Sequence, residues 1–207
     1  MKKKFLSLMM AAAVVATTSV SAFAAEVKTD GGEVDVTITG SVNGQGDTAP
    51  EGTISVTVPT ALTFTVKENG TFTGTSLPIT NNGTEAVDIF AYEFTDISNA
   101  TNGIEVKTQL AEGDNRTKVT LNLSGNRGIA NFASEVSTGK GVYDANLTAA
   151  NSPDGIKLAR IDKLGSSQNT AELTLGGDAG KNADASIVKG IREDFTLKLK
   201  IKKASAS

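Results

Sequence analysis

The 207-residue chain has no cysteine, no histidine and no tryptophan. Each absence removes a class of chemistry. Without cysteine the chain forms no disulfides and offers no thiol for a lipid tether. Without histidine, Ser-His-Asp and Cys-His constellations are impossible, and so is an H-E-x-x-H zinc site. The two absences together take away the ligands that zinc and copper favour. There is no P-loop, and Gly176-Gly177, Gly180 and Gly190 read as a loop ahead of a strand rather than a phosphate-cradling turn before a helix. Two carboxylates can suffice for glycoside hydrolysis. The platforms on which sugars stack are scarce, however, with Tyr92 and Tyr143 the only tyrosines. The expectation is a protein that is not an enzyme and carries no cofactor.

Long apolar runs are also missing, with one exception at the start. Lys2, Lys3 and Lys4 precede an apolar stretch from Phe5 to about Ala16, and small residues follow up to Ala22-Phe23-Ala24. This is the charged, apolar and A-x-A order of a secretory signal peptide, and it is too short for a membrane span. We expect residues 1–24 to be the signal peptide and 25–207 the folded domain. Without Lys2, Lys3 and Lys4 the 20 basic residues fall to 17 against 23 acidic ones, a net charge of about −6. Neither nucleic acid nor an anionic membrane surface is the expected partner. No LPxTG-like sorting motif is present. The expected location is extracellular or cell-surface, with retention through non-covalent contacts.

What the chain has is alternation. Glu33 to Val42, Ser76 to Thr80, Ala86 to Phe94, Ile104 to Leu110, Lys118 to Leu123, Ala171 to Leu175 and Phe195 to Ile201 all carry strand patterns. Asn69-Gly70 reads as a two-residue hairpin turn, Asn82-Gly83 as a turn, and Ile104–Leu110 with Lys118–Leu123 as a hairpin. Ala86–Phe94 is apolar on both faces, with Val87, Ile89 and Ala91 on one side and Phe90, Tyr92 and Phe94 on the other, so it should be central. Residues 128–163 show weak patterning, read as long loop or short helical turns. The expected fold is all-β: a single antiparallel β-sandwich, jelly-roll or Ig-like, with short helical turns in loops. Lys198, Lys200, Lys202 and Lys203 alternate with Leu197, Leu199 and Ile201 and read as the solvated face of the last strand.

The segment Thr53–Val66 (TISVTVPTALTFTV) keeps its apolar residues on even positions across Pro59. As one strand it would run to about 45 Å, long for a sandwich. Two strands are therefore expected, Thr53–Val58 and Ala61–Val66, with Pro59 at a bend or edge. Val56, Phe64 and Phe195 should be buried. Asp178, Asn182 and Asp184 lie in one Gly-rich stretch and form a candidate Ca²⁺ loop, although the spacing matches no EF-hand and the same residues make turns unaided.

The Lys-rich leader, LPITNNGTEAVDIFAYEF at 77–94 and FTLKLKIKK at 195–203 together resemble the TasA/camelysin-like exported proteins of Gram-positive bacteria and their clostridial pilin-like relatives. The resemblance implies a biofilm-matrix fibre subunit whose terminal strand completes a neighbour's sheet, with self-association as the main contact and other matrix or wall components as further partners. The metallopeptidase label given to some camelysins finds no histidine here. The wall-binding WxL style lacks its tryptophan. The candidate assembly strand is Val34, Val36 and Ile38, behind Gly31-Gly32. Closure of its own sandwich by the same strand is the favoured reading, because consecutive strands usually pair within one chain. A monomeric surface module binding carbohydrate, wall or host components is the alternative function.

Overall fold

The computed structural model describes residues 24–27, 30–31, 33–37, 53–96, 103–133, 140–145, 153–182 and 191–205. Fourteen strands lie there, and among the described residues there is no helix. In chain order they are β1 (Ala24–Val27), β2 (Glu33–Thr37), β3 (Val56–Pro59), β4 (Phe64–Val66), β5 (Phe72–Gly74), β6 (Ser76–Asn81) and β7 (Val87–Asp96). Then follow β8 (Glu105–Val106), β9 (Lys118–Ser124), β10 (Ile129–Phe132), β11 (Val142–Tyr143), β12 (Ile156–Ile161), β13 (Thr170–Ala179) and β14 (Phe195–Lys203). The fold is an all-β sandwich. Its larger sheet runs β1-β3-β6-β13-β9-β10-β11, with β8 beside β9, and its smaller sheet runs β12-β7-β14-β2.

Period-two alternation builds the core, because it gives each strand one apolar face. Val119, Leu121 and Leu123 of β9, Leu173 and Leu175 of β13, and Phe195, Leu197, Leu199 and Ile201 of β14 are all buried in one cluster. Five phenylalanines stack through it. Ring centroids lie 5.3 Å apart for Phe72–Phe64, 6.2 Å for Phe64–Phe195, 5.7 Å for Phe195–Phe94 and 5.0 Å for Phe94–Phe132. The column ties the β4–β5 hairpin to the small sheet and the small sheet to the large one.

Val56 and Phe195 are buried as the alternation requires. Phe64 is only half-buried. It sits on a two-stranded hairpin and lines a cavity of about 500 Å³, which leaves its side chain less enclosed than that of Phe195. Pro59 ends β3, the chain bends at Thr60, and it resumes as β4 in another sheet. The bend keeps Ile54, Val56, Val58 and Leu62 in the core.

Several local expectations are corrected. The turn at Asn69-Gly70 is a three-residue loop: Lys67 N donates to Thr71 O, Gly70 N donates to Lys67 O, and Gly70 takes φ +80°. Asn82-Gly83 does not close a hairpin, because β6 and β7 belong to different sheets. β8 pairs with β9 in parallel, not as a hairpin, because the eleven residues from Lys107 to Thr117 carry the chain back before β9 begins. Ile129–Phe132, expected as loop or helical turn, is a strand with Ala130 and Phe132 buried. Gly176-Gly177 lie inside β13 rather than in a loop. A Cβ at Gly177 would meet Thr120 O at 2.1 Å, so the close approach of the β9 backbone requires glycine there, whereas one at Gly176 would meet only the Asn122 side chain, with Oδ1 at 2.6 Å. β7 is central, as expected, but Phe94 is buried with Val87, Ile89 and Ala91. A bulge at Tyr92 shifts the register with β14, so Lys198 pairs with Glu93 and Leu199 with Ala91.

Candidate assembly surface

Residues Ala24–Thr37 form an arm that serves both sheets. β1 covers the β3 edge of the large sheet, from Ala24 opposite Pro59 to Val27 opposite Val56. β2 covers the β14 edge of the small sheet, with Val36 opposite Leu197 and Val34 opposite Leu199. Between them Gly31 takes φ +72°, a left-handed conformation that glycine adopts without strain. Asp30 Oδ1 accepts from Lys203 N at 2.6 Å and pins the turn to the end of β14. The strand singled out in the sequence thus pairs with β14 of its own chain. Val34 and Val36 lie in it, and Ile38 lies outside the described residues. β1 starts one residue before the expected start of the mature chain.

β14 has a polar face as regular as its apolar one. Lys198 Nζ lies 3.3 Å from Glu93, Lys200 Nζ 3.4 Å and Lys202 Nζ 2.7 Å from Asp154, and Lys203 Nζ 2.9 Å from Glu85. Lys200 also lies over the Tyr92 ring, 4.4 Å from its centroid, with Lys140 at 3.4 Å. The lysines were expected on a solvated face; Lys203 is exposed, but Lys198 and Lys202 are half-buried and Lys200 is largely covered, each beside a carboxylate. The hydrogen bond from Lys202, then the charges of Lys202 and Lys200, hold the Asp154 carboxyl below the usual carboxylate range, and Asp154 raises the Lys202 ammonium in return. Across the arm, the register sets Asp35 opposite Lys198 and Glu33 opposite Lys200.

The opposite edge of the small sheet is closed differently. Asn126, in the β9–β10 turn, treats β12 as a strand would. Its Oδ1 accepts from Arg160 N at 3.0 Å and its Nδ2 donates to Arg160 O at 3.1 Å. Arg127 N adds a bond to Leu158 O at 2.9 Å. Gly125 and Gly128 permit this approach, since a Cβ there would meet Leu158 O at 2.4 Å and Lys157 O at 2.5 Å. The far edge of the large sheet ends in β11, only two residues long. Sealed and shortened edges resist adding another strand.

Of the candidate Ca²⁺ loop, Asp178 and Asn182 fall within the described residues. Asp178 lies in β13, where its Oδ1 accepts from Ala179 N at 3.0 Å. Asn182 donates through Nδ2 to Glu112 O at 3.3 Å. Asp184 lies outside the described residues, and among the described residues no cluster of three or more acidic groups could hold a metal ion. Sequence reasoning overlooked Asn81, Asn126 and Asp154. Asn81 is fully buried where the chain leaves β6. Its Nδ2 donates to Glu85 O at 2.7 Å and Asp162 O at 2.9 Å, and its Oδ1 accepts from Gly83 N at 2.9 Å. The N-x-G spelling signalled a turn but not the crossing between sheets.

Scans against protein families, characterised proteins and solved structures each return no match to this chain.

Proposed function

We propose that the protein is a secreted structural subunit of the bacterial cell surface or biofilm matrix, polymerising by exchange of its N-terminal arm. One observation carries this reading: a single short segment supplies the outermost strand on one side of both sheets. Residues 38–52 separate the arm from Thr53, just ahead of β3, and a chain of fifteen residues can reach about 50 Å when extended. An arm on that tether can fill the same two positions in a neighbour. The contacts are identical in the two arrangements, so exchange is limited mainly by concentration. Passing the arm forward from each subunit to the next makes a head-to-tail chain. The sealed β12 edge favours growth at the arm side alone. The expected signal peptide and the resemblance to TasA-like fibre proteins point the same way, and the absence of histidine and cysteine fits a structural role.

Electron microscopy of the purified mature protein at rising concentration, with unheated samples run on SDS gels, tests the proposal. Filaments and a ladder of multimers are expected. A protein that stays monomeric at millimolar concentration would favour the second reading, a monomeric surface module binding carbohydrate, wall or host components. The arm's closure on its own chain suits that reading.

A further inference from the structure

We infer that Lys198 and Lys200 select what occupies the β14 edge, admitting an antiparallel strand that alternates carboxylates with β-branched apolar residues. The inference rests on the arm-exchange reading for its partner, a second copy of this chain, but its chemistry holds whichever copy supplies the strand.

β14 presents Leu197, Leu199 and Ile201 to the core, all fully buried, and Lys198, Lys200 and Lys202 to the other face. An apolar edge alone would take any β-rich strand, including another β14. The lysines change that. Glu93, Asp154 and Glu85 of the body each lie within 3.4 Å of a β14 lysine ammonium, so the edge carries a row of cations alternating with its apolar residues. A second β14 laid against this edge would oppose lysine with lysine, and like charges directly opposite destabilise a sheet. The arm sequence Glu33-Val34-Asp35-Val36-Thr37 answers both faces at once, with Asp35 across from Lys198, Glu33 from Lys200, and the valines from Leu197 and Leu199. A one-residue slip would set both lysines against valines. A two-residue slip would move Glu33 to Lys202, the lysine with the shortest contact to Asp154. The edge therefore reads the strand's charge as well as its shape, which disfavours its own β14 and favours the acidic arm.

A charge-swap cycle on the full mature chain tests this. The variants are E33K/D35K, K198E/K200E and the quadruple, with E33Q/D35N and K198Q/K200Q as a milder series should the reversals prevent folding. Each reversed pair alone should lower Tm, and the quadruple should recover about 2–4 °C of the summed loss. The recovery should shrink in 1 M salt. Mixing E33K/D35K with K198E/K200E, each with its own fluorophore, then separates the two proposals. If the cycle shows coupling and the mixture co-assembles, both stand. If the cycle shows coupling and the mixture stays apart, charge selection stands and polymerisation by exchange fails. If the double variants are additive in both series, charge selection is overturned, whatever the mixture does.

Discussion

At the scale of single residues, the fold depends on a few side chains that close junctions between layers. Asn81 is the clearest. Removing its amide leaves two carbonyls and an N–H at a buried crossing without their partner, and such groups are costly. Asn81→Ala should lower stability by about 2–4 kcal/mol in urea denaturation, well beyond a nearby exposed change such as Thr170→Ala. The phenylalanine column supplies a graded comparison. Phe195 touches rings on both sides and is 1% exposed, so Phe195→Ala should cost ~3–5 kcal/mol. Phe64 borders the cavity, and Phe64→Ala should cost clearly less in the same denaturation assay. Equal losses would mean that the hairpin is part of the main core. Asp154 provides the pH handle. Its folded pKa is depressed, so the stability it contributes is present above the ordinary carboxylate value of 3.8 and is lost as pH falls through the lower folded value. Thermal melts of the wild type between pH 5 and pH 2 should show this loss, and Asp154→Asn should flatten it.

At the scale of elements, the account turns on how edges are finished. Asn126 replaces a strand's pairing with one side-chain amide, so Asn126→Ala should change Tm little yet expose the β12 edge. Light scattering during prolonged incubation should then show irregular aggregation that the wild type lacks. Strands with strict alternation were legible in the sequence: β6, β9 and β14 fall where the pattern put them, because one buried face leaves a period of two. The split at Pro59 was legible for the same reason, combined with the missing donor. What the pattern could not carry was partnership. β7 shifts its face at Tyr92 because a bulge adds one residue, and β8 runs parallel to β9 because an eleven-residue return precedes it. β13 continues through Gly176-Gly177 because the neighbour across from it fills the space of two side chains. Each is a fact about a second strand, and no segment states its partner alone. The candidate site divides likewise. Val34 and Val36 were legible as part of a strand, whereas Glu33 and Asp35 acquire meaning only once the register sets them opposite lysines.

At the scale of the whole molecule, one side of the sandwich is finished by its own turns and short strands and the other by the arm. That asymmetry is what a directional polymer requires, and the lack of cysteine makes it directly measurable. Thr37 and Thr196 are register partners of β2 and β14, and opposed residues of an antiparallel pair lie within disulfide reach. In the chain carrying Thr37→Cys and Thr196→Cys, these are the only thiols. Mild oxidation then records which chain the arm occupies. The measurement is a non-reducing SDS gel of this variant, oxidised after concentration, with each single-cysteine variant alongside. Arm exchange predicts a reductant-sensitive ladder of dimers, trimers and longer species, with nothing beyond dimers from either single variant. A lone cross-linked monomer at every concentration would show that each arm stays with its own body, and would contradict the assembly account.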